Sequence, residues 1–171
     1  MTEELESRLV ADFPEMFAAV RKTKRRISFG IECGDGWYTL IRALCYQARA
    51  SWINDGLITR VTQIKEKFGG LRFYYTQEND PKMVARDPAS GKLVRTHYRI
   101  PKTLRRRRYI GRVECSDGRT EYYAGAVQLG EALSYHTCEE CGLPGELGGR
   151  GWYRTLCTKC RSKLEKGKGG R

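Results

Sequence analysis

Four cysteines near the C-terminal end of this 171-residue chain have the type and spacing that speak most directly of chemistry. Cys138 and Cys141 enclose two residues, Cys157 and Cys160 enclose two more, and fifteen residues lie between the inner cysteines. Two thiolates at that separation reach one ion when the backbone between them makes a tight knuckle. Gly142, directly after Cys141, eases the turn because glycine tolerates positive φ. Four sulfur ligands with no open position suit a single tetrahedral Zn2+ in a structural role. Unligated thiols and an isolated redox Cys-x-x-Cys are the competing readings, and the paired spacing argues against both. Seven cysteines, an odd number, favour a reducing compartment over a disulfide framework.

The second chemical signal is charge. Lys and Arg total 32 against 20 acidic residues, a formal net charge of +12. The excess is regional, because Thr2–Val20 is acidic, with five carboxylates against Arg8. Between Lys82 and Arg112 eleven Lys/Arg face Asp87 alone, a balance of +10. Arg95, Arg99, Lys102, the run Arg105, Arg106, Arg107, Arg108, and Arg112 are the candidate phosphate contacts. Clustered guanidiniums bind phosphate in bidentate fashion and stack on bases. Lys65 and Arg72, with Lys67 and Tyr74, form a second candidate face on a hairpin. A solvated basic arm and docking onto an acidic protein are the alternatives.

Material for catalysis is thin. His97 and His136 are the two imidazoles. A metal-dependent nuclease would need Glu32, Asp35 and Glu66 to converge, and their spacing matches no such motif. Cys33 has no histidine near it in sequence. No catalytic residue is assigned.

The elements that must hold these groups follow from periodicity. Leu5, Leu9 and Val10 predict a helix within residues 3–20, with Pro14 opening a second turn that buries Phe13, Phe17 and Val20. Asp35 is a candidate N-cap for a helix over 36–53, in which Trp37, Leu40, Ile41, Leu44, Ala48 and Trp52 recur at helical spacing. Residues 57–66 and 71–76 read as a β-hairpin whose turn draws positive φ from Gly69 and Gly70. Gln77–Lys92 reads as a loop, and Leu93–Ile100 as strand. A helix over 120–135 has Tyr122, Tyr123, Ala126, Val127, Gly130 and Leu133 on one side. The cysteine pairs then flank a hairpin and a short helix over 157–165.

The expected fold is therefore α+β, with helices packed on an antiparallel hairpin sheet. A core over 1–135 carries an arginine-rich β-arm at 80–118. A four-cysteine zinc module follows at 136–165, and 166–171 form a basic disordered tail. No apolar run approaches the ~18 residues of a membrane span, and the N-terminus lacks the basic start and apolar centre of a signal peptide. No membrane partner and a cytoplasmic location are the expectations.

Gly34-Asp35-Gly36-Trp37-Tyr38 and Val61–Tyr74 resemble a family of small phage and bacterial proteins of unassigned function. Members end in motifs similar to Thr137–Gly145 and Gly151–Cys157. The likeness covers residues 30–76 and 120–160, with 80–118 as an insertion. The C-terminal module separately resembles a distant GATA-type treble clef, which would make Trp152 and Leu156 core residues. A phage setting implies a regulatory or host-takeover factor. Non-enzymatic nucleic-acid binding (DNA or RNA) is the leading functional expectation. The alternative is an inhibitor or adaptor of anti-defence type that binds a host nucleoprotein complex.

Overall fold

The computed structural model describes residues 1–17, 31–55, 57–79, 84–86, 93–95, 119–149 and 151–168. Helix α1 (Glu3–Asp12) opens with Glu3, Glu4 and Glu6, which suit the positive end of the helix dipole. Phe13, Met16 and Phe17 follow and are buried, as the Pro14 turn requires. Strand β1 (Ile31–Glu32) leads to a short 3-10 turn over Asp35–Trp37 and to α2 (Tyr38–Asp55). The hairpin is β2 (Leu57–Lys67) and β3 (Gly70–Asn79). Short strands β4 (Val84–Arg86) and β5 (Leu93–Arg95) pair with each other. Helix α3 (Arg119–Ser134) precedes β6 (Glu146–Gly148), β7 (Arg154–Leu156) and α4 (Thr158–Lys168).

The α+β expectation holds, with four changes of detail. The main sheet is mixed, order β1-β2-β3, because β1 lies parallel to β2 with Ile31 opposite Ile64. A two-residue strand carries too little periodicity to be read from sequence. Part of the 77–92 loop is strand, since β3 runs to Asn79 and β4 pairs with β5. Asp35 does not cap α2. It lies inside the 3-10 turn, and its Oδ1 accepts the Thr2 N–H at 2.6 Å, holding the entry of α1. The tail assigned to 166–171 is helical as far as Lys168.

The core forms where α1, α2, α3 and the sheet meet. Trp37 of the 3-10 turn and Ile41, Leu44, Cys45 and Ala48 of α2 supply the helical stripe, and Leu71, Phe73 and Tyr75 the sheet face. On α3 the buried stripe is Tyr123, Val127, Gly130 and Ser134, whereas Leu133 is exposed. Gly130 admits α2, because a Cβ there would stand 3.0 Å from Leu44 Cδ2. The Tyr75 and Tyr123 rings meet edge-on at 4.9 Å.

Strand β3 is an edge strand, and α3 protects it. Leu71 N–H donates to Ser134 Oγ at 2.8 Å, and Phe73 N–H to Glu131 Oε1 at 2.9 Å. Side chains of a helix thus take the donors that an unpaired edge would offer to another chain. The helix runs antiparallel to β3, since Ser134 meets Leu71 while Tyr123 meets Tyr75. Residues 80–118 are therefore inserted at one end of the hairpin, and the cysteine module follows at the other. The ten residues of β3 set those ends about 30 Å apart.

Candidate metal centre

The first knuckle is closed by backbone bonds. Cys138 N–H donates to Leu143 O at 2.7 Å and Gly142 N–H to Cys138 O at 2.9 Å, with Gly142 at φ 76°. The second pair begins α4. Cys160 N–H points at Cys157 Sγ at 3.4 Å, so the first helical turn aims a donor at the sulfur. That N–H, followed by hydrogen bonds from the neighbouring thiols, lowers the Cys157 thiol to about 7. Between the pairs lies the hairpin β6–β7. Knuckle, hairpin and helix thus occur in the predicted order.

The four Sγ atoms of Cys138, Cys141, Cys157 and Cys160 lie within 4.8 Å of one another, and Cys141 Sγ is 3.7 Å from Cys157 Sγ. In a regular tetrahedron with Zn–S bonds of about 2.3 Å, sulfurs stand ~3.8 Å apart. A disulfide would need about 2.0 Å. The donor set and its spacing fit one Zn2+, and the four cysteines are the one cluster of this kind among the described residues. His136 is exposed and outside the cluster. It contributes its backbone oxygen, which accepts the Gly145 N–H at 2.9 Å.

The knuckle is seated on the core by residues whose role sequence reading did not assign. Gly36 N–H donates to Glu139 O at 2.7 Å, and Gly34 N–H to Glu139 Oε1 at 3.0 Å. Trp37 Nε1 donates to Thr137 O at 2.8 Å. A Cβ on Gly36 would fall on Cys138 O and Gly142 N, and 2.7 Å from Cys141 N, so only glycine lets the two backbones touch. Glu139 is buried, and its Oε2 receives Arg154 Nε and Nη2 at 3.1 Å each. Its own N–H donates to Thr155 O at 2.9 Å. Glu139 therefore ties core, knuckle and hairpin together. The Gly-x-Gly-Trp spacing at 34–37 was the available signal, but nothing in it names the surface it receives.

A second seam joins the β2–β3 turn to β7. Thr155 Oγ1 donates to Gly69 O at 2.7 Å, and a Cβ on Gly70 would enter the Tyr135 ring. The positive φ values in this turn belong to Phe68 (55°) and Gly69 (77°), not to Gly69 and Gly70. Gly70 is small because Tyr135 packs on it.

Of the predicted phosphate contacts, Lys65 and Arg72 are described. Lys65 Nζ reaches Gln63 Oε1 at 2.9 Å and lies 5.4 Å from the Tyr74 ring centre. Arg72 Nη2 donates to Tyr135 Oη at 3.0 Å and Nη1 to Leu71 O at 2.8 Å, so it braces the junction with α3. Arg95 ends β5, its backbone opposite Val84. Arg99, Lys102, Arg105–Arg108 and Arg112 lie outside the described residues, as do Val20, His97 and the 169–171 end of the tail.

The carboxylates weighed for catalysis have separate tasks. Asp35 holds Thr2, and Glu66 Oε1 accepts Gly69 N–H at 2.6 Å. Glu32 is exposed opposite Lys65. Burial pushes the Cys33 thiol up to about 12, opposite to the shift that activates a nucleophile. Trp152, assigned to the module core by the treble-clef resemblance, is 73% exposed, while Leu156 is buried. The loop after Gly148 carries Trp152 outward, and Gly149, at φ 138°, packs against its carbonyl.

No described helix is long and apolar enough to cross a membrane. Comparison with family models, curated proteins and solved structures finds no match to this chain.

Proposed function

We propose that this is a non-enzymatic nucleic-acid-binding protein. One Zn2+ on Cys138, Cys141, Cys157 and Cys160 closes the C-terminal module, which Gly34, Gly36 and Glu139 seat on the core, and the arginine-rich segment 80–118 neutralises phosphates. The observation that carries the reading is the +10 balance over Lys82–Arg112, inserted between two elements that brace each other, β3 and α3. Charge of that density recruits a polyanion through counterion release. The metal supplies stability here, since four sulfurs leave no position open for substrate.

Anisotropy titrations of zinc-loaded protein with labelled duplex DNA, RNA and single strands, over a series of salt concentrations, test it. Replacing Arg105–Arg108 by serine should lower duplex affinity and reduce the log–log salt slope by about 3 to 4. Unchanged affinity and slope reject the assignment. A protein partner that co-purifies after nuclease treatment would support instead the adaptor reading, in which the basic arm engages a host nucleoprotein complex.

A further inference from the structure

Three large aromatic side chains stand in solvent on two adjoining loops: Phe68 at 66%, Trp152 at 73% and Tyr153 at 50% exposure. The β2–β3 turn meets the start of β7, directly after that second loop, where Thr155 Oγ1 donates to Gly69 O and Gly69 lies against the Arg154 backbone and the Leu147 side chain. Scattered exposed apolar residues need no explanation, but three exposed aromatics flanking one contact between the two hairpins do.

Phe68 sharpens the point. It occupies the first position of a two-residue hairpin turn at φ 55°, where asparagine or glycine is at ease and a bulky side chain is strained. Its ring is not buried, so packing does not offset the strain. Neither backbone preference nor the core accounts for phenylalanine at this position. Lys67 Nζ lies 5.3 Å from the ring centre, a cation beside an open π face.

The surroundings are cationic. Among the described side chains of residues 65–72 and 138–166, eight Lys/Arg stand against five Glu, a balance of +3, or +1 once four thiolates and one Zn2+ are included. Lys159 and Lys163 are exposed on α4.

We infer that Phe68, Trp152 and Tyr153, with Lys67 beside Phe68, form a stacking platform for single-stranded nucleic acid. Bases stack on aromatic faces whatever their identity, and cations track the backbone. A duplex keeps its bases stacked internally and offers those faces little. The inference rests on the nucleic-acid reading above but uses a different surface from the arginine-rich segment.

The test uses zinc-loaded full-length protein and fluorescein-labelled oligothymidylate and oligouridylate of about a dozen nucleotides, with a duplex of equal length. Trp152→Ala and Tyr153→Ala should each weaken single-strand binding about fivefold or more, leaving duplex binding unchanged. Phe68→Asn should weaken it too while raising the melting temperature, a combination that a purely structural role does not produce. Indole emission should fall on single-strand binding in the wild type and much less in Trp152→Ala.

Single-strand affinities of Trp152→Ala and Phe68→Asn equal to wild type would overturn the platform. If replacing Arg105–Arg108 abolishes binding in that same experiment, the arm reading survives alone. Loss of single-strand binding in the aromatic variants, with the arm variant unaffected, would uphold the platform and remove the arm. Intact binding together with a wild-type dimer that Trp152→Ala converts to monomer would assign the aromatics to a second copy of the chain and overturn the platform.

Discussion

Gly36 donates its backbone N–H to the carbonyl oxygen of Glu139 across 2.7 Å, joining the start of α2 to the metal knuckle. Around that bond the Gly36 Cα faces the Cys138 carbonyl with no room for a methyl group. The metal module is thus continuous with the core at backbone level, through a contact between residues more than a hundred positions apart.

Gly36→Ala should therefore be severe. The obstructing atoms are backbone, which cannot swing away, and a loss of about 3 kcal/mol or more is expected, with faster zinc release to a chromogenic chelator. Gly125→Ala is its control. That glycine sits exposed in α3 with nothing within 4 Å of an added Cβ, and the change should stabilise by about 0.5–1 kcal/mol. Urea unfolding of both variants decides the matter, and equal midpoints would refute this seating of the knuckle on Gly36.

Glu139 and Glu140 both reach Arg154, but they are not equivalent. The Glu139 side chain is 7% exposed and Glu140 50%. Glu139→Gln leaves Arg154 and the Gly34 N–H poorly matched in a buried place and should destabilise by about 2–4 kcal/mol. Glu140→Gln removes a solvent-screened pair worth under about 1 kcal/mol. Chemical denaturation should rank them in that order.

Metal analysis of purified protein should find one zinc per chain, and Cys138→Ser or Cys160→Ser should abolish it. Loss of the ion should expose Thr155 and Leu156, which are buried beside the cluster. Amide exchange in β6 and β7 should then accelerate ahead of exchange in β2 and β3. Uniform exchange across both hairpins would argue that the module and core unfold together.

Alkaline conditions should weaken the fold. Burial pushes the Cys33 and Cys45 thiols up to about 12 from their ordinary 9.0, and Tyr75 up to about 12 from 10.0. Tyr123 shifts in the same direction for the same cause. The unfolded chain loses these protons at the ordinary values, whereas the folded chain retains them. Their contribution is therefore complete below the unfolded values and lost as pH climbs from about 9 toward 12, each buried thiol adding a slope of about 1.4 kcal/mol per unit. Unfolding midpoints that stay level between about pH 8 and 11 would contradict this burial.

Much of the fold was legible because its signals are local. The helical stripe from Trp37 to Ala48 repeats over three turns, and alternation marks Leu71, Phe73 and Tyr75. The four cysteines declare themselves by spacing. Long-range contacts were not legible. Strand β1 is two residues long and owes its existence to Ile64 and Lys65 beside it. Gly70 looked like a turn glycine, yet its smallness answers to Tyr135. Asp35 has the place of a cap for the helix that follows it, but it serves α1, the helix before it. In each case the partner that explains the residue lies more than thirty positions away, beyond the reach of a local pattern.

The 105-residue separation of Gly34 from Glu139 has a consequence during biosynthesis. A ribosome delivers the glycine floor more than a hundred residues before the last two sulfur ligands, Cys157 and Cys160. Until then the nascent polypeptide can fold its sheet and first helices, but the surface meant for the knuckle stays wet. Ion capture accordingly comes after the sheet that receives the knuckle, and scarcity of the metal would leave newly made molecules unlatched on an otherwise preassembled body.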